Sequence, residues 1–255
     1  MKLFKSLLIA CAIFGTGVAQ AGKATVAAAA DLKFAMDEIV AHFKTENPKD
    51  TIEVVYGSSG KFHTQIQQGA PYDLFFSADI SFAQELVKAG HAASEAVPYA
   101  LGRIVLWSSN RDASKMTLDS LTDPSIARIA IANPKHAPYG KRAEEALRAT
   151  KIWDKLEGKL IYGENIAHTA QFIQTGNAQV GIIALALALN QTLADKGGYY
   201  LIPENLHAPL EQGFIITKRA AGNATAQRFA DYMNSKAART TMTRYGFLLP
   251  GDRNK

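Results

Sequence analysis

Four times in this chain a short apolar strand runs straight into a helix through small or capping residues. The first, Thr25-Val26-Ala27-Ala28-Ala29-Ala30, reaches Asp31 and a helix over 32–44. The second, Ile52-Glu53-Val54-Val55-Tyr56, passes through Gly57-Ser58-Ser59-Gly60 into a helix over 61–68, with Phe62, Gln65 and Ile66 spaced for one face. The third, Ile129-Ala130-Ile131-Ala132, passes through Asn133-Pro134-Lys135-His136-Ala137-Pro138 to Tyr139, Gly140 and a helix ending near 150. The fourth, Leu160-Ile161-Tyr162, passes through Gly163-Glu164 to Asn165, a good N-cap, and a helix over 166–175. Alternating strands and helices imply a parallel sheet covered by helices on both faces. The apolar run Leu74-Phe75-Phe76 between Asp73 and Ser77-Ala78 fits a strand buried in such a sheet.

These junctions also carry a chemical expectation. The first turn of a helix has backbone N–H groups without intrahelical partners, and the helix dipole makes that end partly positive. Glycine lets a ligand approach the backbone closely, and each serine adds one hydroxyl donor. Gly57-Ser58-Ser59-Gly60 is thus suited both to an ordinary turn and to a small anion. If the fold brings the four junctions together, their N–H groups surround one oxyanion.

Other chemistry finds little support. The histidines, His42, His63, His91, His136, His168 and His207, are scattered, with neither HExxH nor a cysteine partner. Gly57-Ser58-Ser59-Gly60 is one residue short of a nucleophile elbow, and neither G-x-G-x-x-G nor a Walker loop is present. No enzyme activity and no cofactor are expected; a serine-dependent periplasmic hydrolase built on Ser59 is the rival from another class. The formal charge is +5, falling to +3 if Lys2 and Lys5 are removed with a leader, and no basic run is interleaved with aromatics. Nucleic-acid binding is therefore not expected.

The leader is read from Met1-Lys2-Leu3-Phe4-Lys5, an apolar core over 6–18 and Ala19-Gln20-Ala21, which gives a signal segment over 1–21, cleavage after Ala21 and export to the periplasm. Cys11 is the only cysteine, so the mature chain is expected to rely on its core rather than on disulfides. Asp79 is placed to cap a helix over 82–89 that Gly90 ends. Apolar strands at 103–108 and 213–217 bracket the middle of the chain. They suggest a discontinuous first lobe over 22–102 and 217–255 and a continuous second lobe over 103–216. Further on, helices are expected over 185–194, 224–234 and 237–245, and a closing strand over 247–249.

At these residues the chain resembles the periplasmic molybdate-binding proteins of ABC importers. The matching strings are Ala28-Ala29-Ala30-Asp31-Leu32, Gly57-Ser58-Ser59-Gly60, Gly69-Ala70-Pro71-Tyr72-Asp73-Leu74-Phe75-Phe76-Ser77-Ala78-Asp79, Asn133-Pro134 with Ala137-Pro138-Tyr139-Gly140, and Arg244-Tyr245-Gly246-Phe247. The resemblance implies a type II periplasmic binding fold, two α/β lobes with a ligand cleft between them. It implies a monomeric carrier that takes molybdate or tungstate as an oxyanion, without protein ligands on the metal, and delivers it to a membrane permease. Carried over by position, Ala30, Asp31, Ser59, Tyr139 and Ile166 form the oxyanion site. Ser59 supplies hydroxyl and N–H, Ile166 supplies N–H, and Tyr139 replaces a tyrosine that another branch of the family has at the place of Ala184. Asp31 departs from the serine or asparagine of other members. It is expected to cap the following helix, with its carboxylate on the N–H of Lys33 or Phe34 and turned from the ligand; the other reading faces the carboxylate into the cleft. Within the class, sulfate or phosphate is the alternative ligand.

Overall fold

The computed structural model describes residues 22–251 except Lys196; the leader and Cys11 fall outside the described residues. In chain order the elements are β1 (Lys23–Ala29), α1 (Lys33–Glu46), β2 (Thr51–Gly57), α2 (Ser59–Gln67), β3 (Leu74–Ser77), α3 (Ile80–Lys88), β4 (Val97–Gly102), β5 (Ile104–Trp107), β6 (Ile129–Ala132), α4 (Pro138–Ala149), α5 (Trp153–Leu156), β7 (Leu160–Gly163), α6 (Ile166–Gln174), β8 (Val180–Ala184), α7 (Leu185–Ala188), α8 (Gln191–Ala194), β9 (Tyr199–Leu201), β10 (Leu210–Ile216), α9 (Ala224–Tyr232) and α10 (Lys236–Arg244). The helix expected over 185–194 is two short ones, and 247–249 makes only an isolated bridge, Leu248 to Leu101.

The strands form two five-stranded sheets of the same design. The first runs β2-β1-β3-β10-β4 and the second β7-β6-β8-β5-β9. In each, the first three strands are parallel and the last two pairings are antiparallel. The sheets are therefore mixed rather than purely parallel. The strand-to-helix junctions read from the sequence follow parallel strands and so open at one edge of each sheet.

One boundary differs from the expectation. Residues 210–216, assigned from sequence to the second lobe, pair with β3 and β4 in the first sheet. The chain crosses outward at Arg103, between β4 and β5, and returns between β9 and β10. An apolar strand pattern reports burial but does not say which sheet buries it.

Alternation along the first sheet's strands sorts its two faces. Val26, Ala28, Leu74, Phe76, Phe214 and Ile216 pack with α1, α9 and α10 through Met36, Phe43, Phe229 and Met242. Ala27, Phe75 and Ile215 face the other way, onto Phe62, Ile66, Ala83 and Leu86 of α2 and α3. The second sheet is buried similarly, with Trp107, Ile129, Ile131, Ile182 and Leu147 in one continuous core. The crossing is tied down from the C-terminal side. Arg103 donates through Nε and Nη2 to the Gly246 carbonyl, at 3.1 and 2.7 Å.

Candidate oxyanion site

Four helix beginnings from the two sheets line one small cavity. The first sheet contributes two, Ala30 and Asp31 after β1 and Ser58 and Ser59 after β2, and Ala78, which follows β3 short of the next helix, lines the cavity beside them. The second contributes Pro138 and Tyr139 after β6, and Asn165 and Ile166 after β7. All these places lie at the carboxyl ends of parallel strands, where open α/β sheets leave a crevice for ligands. The five residues named from sequence, Ala30, Asp31, Ser59, Tyr139 and Ile166, all line this cavity, and all are at most 3% exposed. A larger open depression beside Asn47, Asp50 and Arg228 is a poorer candidate. Of its two carboxylates, Asp50 is bonded by Arg228 at 2.8 Å and Thr225 at 3.0 Å, and Glu46 by the Tyr232 hydroxyl at 3.0 Å.

The donors are held before any ligand is considered. Pro138 occupies the first turn of α4, with its ring fixing the backbone that presents Tyr139. Asn165 caps α6 by accepting the His168 N–H at 2.9 Å. Ser59 Oγ accepts the Ala78 N–H at 3.0 Å, which leaves its own hydrogen available to donate. Asp79 caps α3 as expected, accepting the Ser81 N–H at 3.0 Å.

Asp31 does not. It sits inside the 3₁₀ turn Ala30–Leu32, and the cap position of α1, Leu32, has no side-chain cap bond. The carboxylate instead turns to the lobe boundary. Oδ2 accepts the Tyr139 hydroxyl at 2.9 Å and Gln212 Nε2 at 2.7 Å. Gln212 Nε2 also reaches the Tyr139 oxygen at 3.1 Å, and Gln212 Oε1 accepts the Tyr99 hydroxyl at 2.7 Å. Oδ1 is buried without a hydrogen-bond partner. Burial pushes the Asp31 pKa up to about 6, against the opposing pull of Gln212, Tyr139 and nearby backbone N–H groups. Burial, and then the charge of Asp31, hold both Tyr139 and Tyr99 well above the usual phenol range.

Gln212, Tyr99 and Ala78 were not among the residues named from the sequence. Gln212 had a faint signal as a polar residue before Gly213 and an apolar run. The β10–β4 register shifts between Gln212 and Gly213, an irregularity of a kind common beside functional sites.

The two sides meet closely around the cavity. The Gly60 N–H donates to the His136 carbonyl at 3.0 Å, and Ser58 Oγ lies 3.0 Å from His136 Nδ1. A Cβ on Gly60 would stand 2.7 Å from the His136 oxygen, so this approach requires glycine. Lys61 pairs with Glu164, and Arg142 reaches Asp79 at 3.4 Å. The lobes are closed over the cavity. His168, in the first turn of α6, lines a neighbouring groove, its Nδ1 accepting the Glu164 N–H.

The family model for bacterial extracellular solute-binding proteins matches residues 24–248. The chain belongs to this family. Among relatives of this solute-binding protein, the molybdate-binding protein ModA of Rhodobacter capsulatus is 34% identical, over 90% of each chain. That of Escherichia coli is 31% identical over 98% of each. The solved periplasmic molybdate-binding protein of Azotobacter vinelandii superposes with a TM-score of 0.84 at 28% identity, covering 89% of this chain and 99% of that one. The sulfate-binding protein SubI of Mycobacterium tuberculosis, at 15% identity and a TM-score of 0.72, shares the fold. The resemblance drawn from the sequence and the two-lobed fold it implied are thus borne out.

Proposed function

We propose that this chain captures molybdate or tungstate in the periplasm and delivers it to the permease of an ABC importer. The observation that carries the reading is the convergence of four helix beginnings, two from each sheet, on one buried cavity. Relatives named as molybdate-binding proteins over nearly the whole chain support the choice of ligand. Ser59 supplies a hydroxyl and its backbone N–H, Tyr139 a phenol, and Ala30, Asp31 and Ile166 backbone N–H groups. Preorganised neutral donors in a buried site hold a dianion without a lysine or arginine, because low polarity strengthens each hydrogen bond. The metal atom needs no protein ligand, and no cofactor is required.

The carrier works as a monomer, and closure of the two lobes on the anion is the signal the permease reads. The hydrolase reading is weakened by Ser59 itself: its oxygen accepts the Ala78 N–H, and the nearby imidazole of His136 bonds Ser58 instead. A thermal-shift panel of molybdate, tungstate, sulfate and phosphate on the mature chain tests the proposal. A ligand that binds only the folded state stabilises it by RT ln(1 + [L]/Kd), about 4 kcal/mol at a thousandfold excess over Kd. Molybdate and tungstate should give the large shifts. Stabilisation by sulfate or phosphate with no molybdate response would refute the assignment.

A further inference from the structure

Asp31 presents a problem that the proposed function does not solve. Its carboxylate lines the anion cavity and is 1% exposed, and one of its oxygens is buried without a partner. Among the described residues no cation offsets it from the elements packed around it. On α1, Lys33 pairs with Asp37. On β2, Tyr56 donates to the same Asp37, and Glu53 pairs with Lys23. On α6, His168 accepts the Glu164 N–H and lies tilted against Phe172. Short α7 has no ionisable residue. From α4 the facing group is Tyr139, while Arg142 turns to Asp79 and Glu145; from β4 it is Tyr99. On β10, Gln212 faces Asp31, and Glu211 is exposed. Ionised Asp31 thus faces only neutral donors, and an oxyanion in the cavity would lie against a like charge.

We infer that the site takes up one proton from solvent with each dianion it binds, and that Asp31 carries it. This rests on the proposed function for its ligand. The hydrogen bonds supply a route for the benefit. With Asp31 ionised, the single hydrogen of Tyr139 is spent on Oδ2 at 2.9 Å. With Oδ2 protonated, that bond reverses: Asp31 donates to the phenol oxygen, which also accepts from Gln212 at 3.1 Å. Tyr139 then has its hydrogen free for the anion. A proton on Oδ1 would instead give the orphaned oxygen a hydrogen of its own. In either placement one O–H bond forms, the proton comes from water or buffer, and the ligand stays fully deprotonated.

The sign follows from linkage. Burial already holds the Asp31 pKa up at about 6, and a bound dianion raises it further. Between those two values affinity falls about tenfold per pH unit as pH rises, and below the lower one the dependence flattens.

Calorimetric titration of molybdate into the mature chain near pH 7.5, in two buffers of different ionisation enthalpy, counts the protons. About one proton taken up per molybdate is expected, and none with Asp31→Asn, whose affinity should no longer fall with pH. Zero uptake by the wild-type chain, or unchanged uptake by Asp31→Asn, would overturn the inference. The wild-type count needs no variant, so a poorly folding Asp31→Asn does not rescue it. Sulfate as a second titrant separates the two readings. One proton taken up with sulfate and no heat with molybdate would leave this inference standing and remove molybdate as the ligand. No binding of either would remove both.

Discussion

Tyr139 donates its phenolic hydrogen to Asp31 across the boundary between the lobes, at 2.9 Å, and Gln212 bonds both. Closure therefore brings together an acid and a phenol that belong to different sheets. The contact makes the ligand cavity and the lobe interface one hydrogen-bonded unit.

Tyr139→Phe removes the one phenolic hydrogen that Asp31 and the anion would share in turn. Oxyanion affinity should fall by about 1–3 kcal/mol, the usual worth of a hydrogen bond to a charged group. Titration calorimetry measures it, and an unchanged Kd would take Tyr139 out of the site.

Asp31→Asn should change stability in a pH-dependent way. The folded chain holds the Asp31 proton more tightly than the unfolded one, with a pKa near 6 against 3.8. The native form therefore has the proton excess between those values. Stability from this group is full at the acid end, declines as pH rises through the window and stays lowered above it. The raised pKa corresponds to an upper bound of about 3 kcal/mol. Urea unfolding should find the variant close to wild type near pH 4 and more stable near pH 7.5. Equal differences at both pH values would contradict the buried carboxylate.

Gly60→Ala should block closure without unfolding the first lobe. Alanine favours the helix by up to about 1 kcal/mol, but its Cβ would meet the His136 carbonyl at 2.7 Å. At least a tenfold loss of oxyanion affinity is expected, with no loss of stability to urea in the absence of oxyanion. Wild-type affinity would show that the lobes close elsewhere.

Lys61→Met tests the peripheral ion pair. Lys61 and Glu164 are 50% and 43% exposed at the side chain, and such pairs contribute about 0–1 kcal/mol. Affinity should drop less than about fivefold, and the difference should shrink in high salt. A large, salt-insensitive loss would make the pair a genuine latch.

The junctions were legible because their signals are local: strand alternation, a proline in a first turn, Asn165 and Asp79 at caps. The role of Asp31 was not. The sequence made it a cap, since aspartate is among the best cap residues, but its partners lie 108 and 181 positions away. Gln212 escaped for the same reason, together with a register shift that no periodicity reports. Strand β4 was hidden by Pro98 and Gly102, and the sheet membership of β10 by a run apolar enough for either core.

The central claim is that one tetrahedral oxyanion is held where Ala30, Asp31, Ser59, Tyr139 and Ile166 meet. Crystals of the mature chain grown with molybdate, measured on both sides of the molybdenum absorption edge, locate the metal directly. A single anomalous peak is expected in that cavity, surrounded by Ser59, Tyr139 and backbone N–H groups, with no side-chain atom bonded to the metal. A peak elsewhere, or none in the cavity at saturating molybdate, would contradict it.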